Sequence, residues 1–136
     1  MKQYLKHHEW HVIEEGLNPH YNKISESVFS LGNGRMGQRA NFEEDYSGET
    51  LQGGYVAGVY YPDKTRVGWW KNGYPEYFAK VLNAPSWVEI KIKIGDQTLD
   101  LATCNVEKFM RVLDMKQGLL HRTFTATLPD GKKVSV

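Results

Sequence analysis

Several short stretches of this chain carry residue types at spacings that suit chemistry. "GNGRMG" holds Gly32, Gly34 and Gly37, a literal G-x-G-x-x-G around Asn33. In a dinucleotide fold such glycines let a pyrophosphate reach a helix N-terminus. The residues that follow, "QRANFEEDYSGE", show no helical apolar period and end in a turn signal. The stretch therefore reads as a tight turn between two strands, with glycine supplying positive φ. "HHEWH" gathers His7, His8, Glu9 and His11, one residue short of the H-E-x-x-H spacing that binds zinc from a helix. On a strand, positions three apart face opposite ways. These are solvated side chains near a chain end, and no metal site is expected.

Two acidic groups, Glu14–Glu15 and Glu43–Glu44–Asp45, invite comparison with glycosidases. Those enzymes hold two carboxyls on opposite sides of a sugar. Neighbours in sequence rarely reach that geometry, so a solvated or salt-bridged surface is the better reading. Cys104 in "LATCNVE" has no evident base nearby and reads as an inert thiol. The most distinctive stretch is "GVYYPDKTRVGWWKNGYPEYF", rich in tyrosine and tryptophan yet broken by glycine and proline. Trp69, Trp70, Lys71, Asn72 and Tyr74 combine flat apolar faces with polar groups, which suits a sugar ring or a protein interface. Composition favours interface packing over direct sugar contact.

The elements that must position these residues are mostly strands. In "SWVEIKIKI", Val88, Ile90, Ile92 and Ile94 alternate with Glu89, Lys91 and Lys93, the period of a half-buried strand. "GDQ" then turns the chain into a partner strand, "TLDLA". "KFMRVLDM" is strand-like, with Phe109, Leu113 and Met115 on one side and Arg111 between them. "GLLHRTFTATL", "PDG" and "KKVSV" read as a second hairpin, with Pro129 fixing φ and Gly131 free to take positive φ. "ESVFSL" and "GYVAGVYY" are expected as short strands, and "EYFAKVL" (76–82) as a short helix with Phe78, Val81 and Leu82 on one face. The sum is an all-β antiparallel sandwich, without internal repeat or low-complexity tract.

Composition narrows the partners. Seventeen basic against sixteen acidic residues leave a net charge of +1, so no basic excess points to nucleic acid. The N-terminus shows no secretory signal, and no apolar run is long enough to span a membrane. A single cysteine permits no internal disulfide. A cytoplasmic protein is expected. The chain stops at "KKVSV", inside a strand pattern, which reads as the front of something longer.

The stretch "ESVFSLGNGRMGQRANFEE" resembles the opening signature of glycoside phosphorylases of the maltose, trehalose and kojibiose phosphorylase family (glycoside hydrolase family 65). Its E-S-x-x-x-x-G-N-G-x-x-G-x-R core is matched by Glu26, Ser27, Gly32, Asn33, Gly34, Gly37 and Arg39. "LDMKQGLLHRTF" is similar to the family's later L-D-x-x-x-G-x-L-x-R element through Leu113, Asp114, Gly118, Leu120 and Arg122. The stretch from "YSGETLQGG" to "LNAPSW" looks closest to the maltose-specific branch. One departure is Ala40, where glycine is common after the signature arginine.

The resemblance implies an N-terminal β-sandwich of the supersandwich type, incomplete at 136 residues. It implies a helical linker and an (α/α) barrel catalytic domain outside this chain. It also implies a cytoplasmic homodimer that splits maltose with inorganic phosphate, inverts the anomeric centre and needs no cofactor. No catalytic residue falls in these residues, since the general acid of such enzymes lies in the barrel. Glu26, Gly32, Asn33, Gly34, Gly37 and Arg39 are expected to be structural, with Glu26 or Glu43 holding an arginine. The competing readings are a stand-alone carbohydrate-binding module and a pure assembly module.

Overall fold

"HVIEE", "NVEKFMRVLD" and "LLHRTFTAT" carry the β-branched and aromatic residues that favour strands, and they pair side by side. In the computed structural model, which describes residues 3–65 and 75–136, they form the centre of an antiparallel five-stranded sheet. Its order is β1 (Leu5–His7), β2 (His11–Glu15), β10 (Asn105–Asp114), β11 (Leu119–Thr127) and β12 (Lys133–Ser135). The "LPDGKK" hairpin read from sequence closes as expected, with Gly131 at φ 86°, and a further tight turn at "LDMKQGLL", with Gly118 at φ 68°, joins β10 to β11.

A bulge in β10 decides which side chains face inward. Glu107 pairs with Thr125 and Met110 with Thr123, so Lys108 and Phe109 together oppose Phe124. Lys108 takes φ 52° there. The extra residue switches the inward parity. Val106 faces in before the bulge, and Phe109, Arg111 and Leu113 face in after it.

The opposite layer is built of shorter pieces. A 3-10 turn (Pro19–Tyr21) leads into α1 (Asn22–Val28). A small sheet follows in the order β3 (Leu31–Gly32), β4 (Met36–Gln38), β5 (Gly54–Val56). β6 (Tyr60–Lys64) and β7 (Tyr77–Val81) make a separate ribbon, and β8 (Lys93–Ile94) and β9 (Gln97–Thr98) a short hairpin. Phe42, Leu99, Leu101, Phe109, Phe124 and Ala126 form the larger core cluster; Phe29, Ala40 and Leu113 form a second. The chain is an all-β antiparallel sandwich, with the short helix α1 over the larger sheet.

Four local expectations need correction. "ESVFSL" is not one strand: its first residues end α1, and only Leu31 enters β3. The buried positions of α1 are Asn22, Ser25 and Glu26, while Ile24 and Val28 face solvent. A helix with polar residues inside shows no apolar stripe to read. Residues 76–82 hold a strand rather than a helix, because Tyr77–Val81 pairs along its length with Tyr60–Lys64. "SWVEIKIKI" is paired only at Lys93–Ile94, and Ile90 is 55% exposed. Met115 also lies outside the core, beyond the end of β10.

Candidate functional site

The register of the large sheet places Glu14 beside Arg111 and Arg111 beside Arg122, on β2, β10 and β11 in turn. All three side chains face the opposite layer, so one acid and two cations lie in a row beneath it. Burying such charges is favourable only if each is compensated, and adjacent like charges across strands repel. Glu14 Oε2 lies 3.3 Å from Arg111 Nε, and Ser25 donates a hydrogen bond of 2.9 Å to Glu14 Oε1. At the other end Arg122 Nη2 lies 2.6 Å from Glu44 and 3.7 Å from Glu43. Between the two guanidinium groups lies Phe42, whose ring centre is 5.1 Å from Arg111 Cζ and 5.2 Å from Arg122 Cζ. Phe29 and Phe109 complete an aromatic cage around Arg111, a geometry in which ring quadrupoles attract the cation. Burial pushes the Glu14 carboxyl up, against the opposing pull of Arg111 and Ser25. The same burial lowers the Arg111 guanidinium.

Beside this row stands a second cluster centred on Glu26, which is fully buried. Its carboxylate accepts from Asn22 Nδ2 (3.0 Å), Leu51 N (2.8 Å) and the Thr50 hydroxyl, and lies 3.8 Å from Arg39 Nη2. Arg39 donates in turn to the carbonyls of Leu51 (2.8 Å) and Lys23 (3.0 Å). A Cβ at Gly53 would stand 2.2 Å from Arg39 Cδ, so the arginine requires glycine there. Ala40 donates its N–H to the Glu26 carbonyl and accepts from Arg111. Its φ is not positive, so the alanine is accommodated without strain.

Gly32, Asn33, Gly34 and Gly37 lie on the hairpin joining β3 to β4. Asn33 Oδ1 accepts from the N–H groups of Arg35 and Met36 at 3.0 and 2.8 Å, and Gly34 takes φ 81°. No helix follows, so the G-x-G-x-x-G spacing here belongs to a turn. In the later element, Asp114 accepts from the N–H groups of Lys116 and Gln117 and closes the β10–β11 turn. Those backbone bonds, with His11 at 3.6 Å, hold its carboxyl below the usual range.

The other sequence candidates are scattered. His7, His8 and Glu9 are exposed at the β1–β2 turn. Among the described residues no three His, Cys, Asp or Glu converge as a metal site. Cys104 is free and half-buried, in a cleft of about 590 Å³ with Leu17, Tyr46, Leu101 and Val106. Trp69, Trp70, Lys71, Asn72 and Tyr74 lie outside the described residues. The feature sequence reading missed is Arg111 as a core residue. Its inward position in the strand period was the available signal, set aside because the residue is charged.

These ion pairs hold segments distant in sequence together, and Arg122 Nη1 is buried without a hydrogen-bond partner among the described residues. Comparison with known proteins gives the arrangement its family. Residues 12–136 match the family model for glycosyl hydrolase family 65, N-terminal domain. The chain belongs to this family. It is 48% identical over 122 residues to maltose phosphorylase of Bacillus subtilis (strain 168), covering 90% of this chain and 16% of that protein. It is 32% identical over 115 residues to kojibiose phosphorylase of Thermoanaerobacter brockii, covering 85% and 13%. Among solved structures it is similar to a candidate kojibiose phosphorylase from human microbiome, with TM-score 0.81 and 36% identity over 93% of this chain and 17% of that one. The chain thus spans under a fifth of these relatives. In this family 65 domain, both motif elements meet in one interlock: Phe42 and Glu44 from the first are clamped by Arg122 from the second.

Proposed function

We propose that this chain is the non-catalytic N-terminal β-sandwich of an inverting glycoside phosphorylase whose substrate is maltose. In the parent enzyme a carboxylic acid in a following (α/α) barrel protonates the glycosidic oxygen. Phosphate attacks the opposite face of the sugar, giving glucose and β-glucose 1-phosphate. Phosphate takes the position that an activated water holds in an inverting hydrolase, so no second carboxylate is needed as base. The domain supports the barrel or a partner subunit.

The observation that carries this reading is the pairing of the motif residues. Glu26, Arg39, Glu44 and Arg122 are all engaged with one another or with backbone, as a scaffold requires. The 48% identity to a maltose phosphorylase, against 32% to a kojibiose phosphorylase, supports maltose as the disaccharide. The test is phosphorolysis. The 136-residue chain, mixed with maltose and phosphate, should release no glucose 1-phosphate. The longer polypeptide should release it from maltose in preference to trehalose or kojibiose. Activity in the short chain, or preference for another disaccharide, overturns the corresponding half of the proposal.

A further inference from the structure

The turn at Asn33–Gly34 holds a reactive pair that its structural role leaves unused. An asparagine amide can cyclise onto the next backbone nitrogen, and glycine there has no Cβ to shield that nitrogen. Both residues are exposed. Asn33 N donates to the Met36 carbonyl at 3.0 Å, which closes the β3–β4 hairpin around them. Asn33 Oδ1 accepts from Arg35 N at 3.0 Å and Met36 N at 2.8 Å. Those two donors sit on the oxygen that gains negative charge when a nucleophile adds at Cγ, the arrangement of a small oxyanion hole. Among the described residues the Gly34 N–H bonds to no acceptor, and a Cβ built at Gly34 meets nothing within 4 Å.

The hairpin at Asp130–Gly131 is the internal contrast. Its glycine also has positive φ, 86° against 81°, and Asp130 Oδ1 also accepts from the N–H two residues on. There the Gly131 N–H is engaged by the Leu128 carbonyl at 2.9 Å. Its hydrogen bonds from Lys132 hold the Asp130 carboxyl below the usual range, so it stays an anion and a poor electrophile. Only the first hairpin joins a neutral amide to a free backbone nitrogen.

We propose that Asn33 is a site of spontaneous covalent modification, converted through a cyclic imide to a mixture of aspartyl and isoaspartyl residues. Gly34 N gives its proton to hydroxide and attacks Asn33 Cγ. The Cγ–Nδ2 bond breaks, and ammonia leaves with a proton returned by water. A second water then opens the imide at either carbonyl. Opening at Cγ leaves an aspartyl side chain, which adds one negative charge and still offers oxygens to the N–H groups of Arg35 and Met36. Opening at the main-chain carbon leaves an isoaspartyl residue. The backbone then runs through Cγ, one methylene longer, and the oxygen that caps the turn is lost to it.

The inference concerns this turn alone and does not rest on the catalytic reading. The test is to age the 136-residue chain in warm, mildly alkaline buffer, folded and in urea, and to weigh the tryptic peptide 24–35, in which Asn33 is the one asparagine. In the folded chain the amide should give way to acid, faster as pH rises. Isoaspartyl methyltransferase should label part of the product. Gly34→Ala in urea, where backbone strain plays no part, should convert severalfold more slowly than wild type in urea. Asn33→Asp should unfold at the wild-type temperature, and the isoaspartyl fraction below it. A folded chain that keeps its amide overturns the proposal, whatever the unfolded chain does. So does product without isoaspartate, Gly34→Ala converting as fast as wild type, or an isoaspartyl fraction as stable as Asn33→Asp.

Discussion

Around Arg111, three phenylalanines ring one guanidinium and the neighbouring charges have counterparts within reach. Along β6 and β7, tyrosine, phenylalanine and valine stand in water on both faces, with Tyr60 59% and Val81 61% exposed. Both regions are antiparallel strands rich in aromatics, yet charge is buried in one and apolar surface is displayed in the other. The interlock holds segments distant in sequence, and one end of it is Arg122 of the later motif element. The ribbon contributes little to that core. What it offers is surface, and its sequence is free to follow a partner.

Substitutions can break or sharpen this contrast. The largest effect is expected at Arg111→Ala, which leaves the buried Glu14 without its cation. Removing one member of such a pair costs about 3–5 kcal/mol, read as loss of stability in urea unfolding. A value near zero would mean that the pair is not buried in solution. Gly53→Ala drives a Cβ into the Arg39 side chain, and overpacking of this kind costs about 1–3 kcal/mol. Pairing it with Arg39→Ala should relieve most of that loss. Gly34→Ala has open space around its Cβ but φ 81°. Its cost, on the order of 1 kcal/mol, is backbone strain alone.

Asp114→Asn probes the turn. The depressed Asp114 pKa means that its carboxylate adds stability above the unfolded value of 3.8 and loses that contribution as pH falls through the folded value. The variant should therefore be weaker near neutrality, and the gap to wild type should close in acid. Thermal unfolding across a pH series reads this directly. The smallest effect is expected at Tyr61→Ala, on the exposed ribbon, within about 0.5 kcal/mol. A loss of several kcal/mol there would erase the distinction between the two regions.

Sequence reading reached the parts of the fold where pattern and burial agree. The "PDG" hairpin, the strand character of the two long central strands and the all-β class were legible, because inward aromatic residues alternate with outward polar ones. It failed where burial is polar. The inward positions of α1 are Asn22, Ser25 and Glu26, so an apolar period cannot reveal them. Arg111 sits at an inward position of β10, in phase with Phe109 and Leu113, but its charge disguised it. Residues 76–82 misled in another way, since an isolated exposed ribbon leaves no burial pattern by which to tell strand from helix. The motif glycines read correctly as a turn because no helix-forming stretch follows them.

Phe42 held between Arg111 and Arg122 has a consequence for how this domain can change over time. The chain enters the interlock at Phe42 and Glu44 and returns to it at Phe109, so the arm formed by β6 and β7 leaves and rejoins a fixed frame. Exposed segments anchored in this way tolerate insertion and exchange. Homologous enzymes can therefore lengthen, trim or swap that arm wholesale, acquiring new quaternary contacts without re-evolving the frame beneath it.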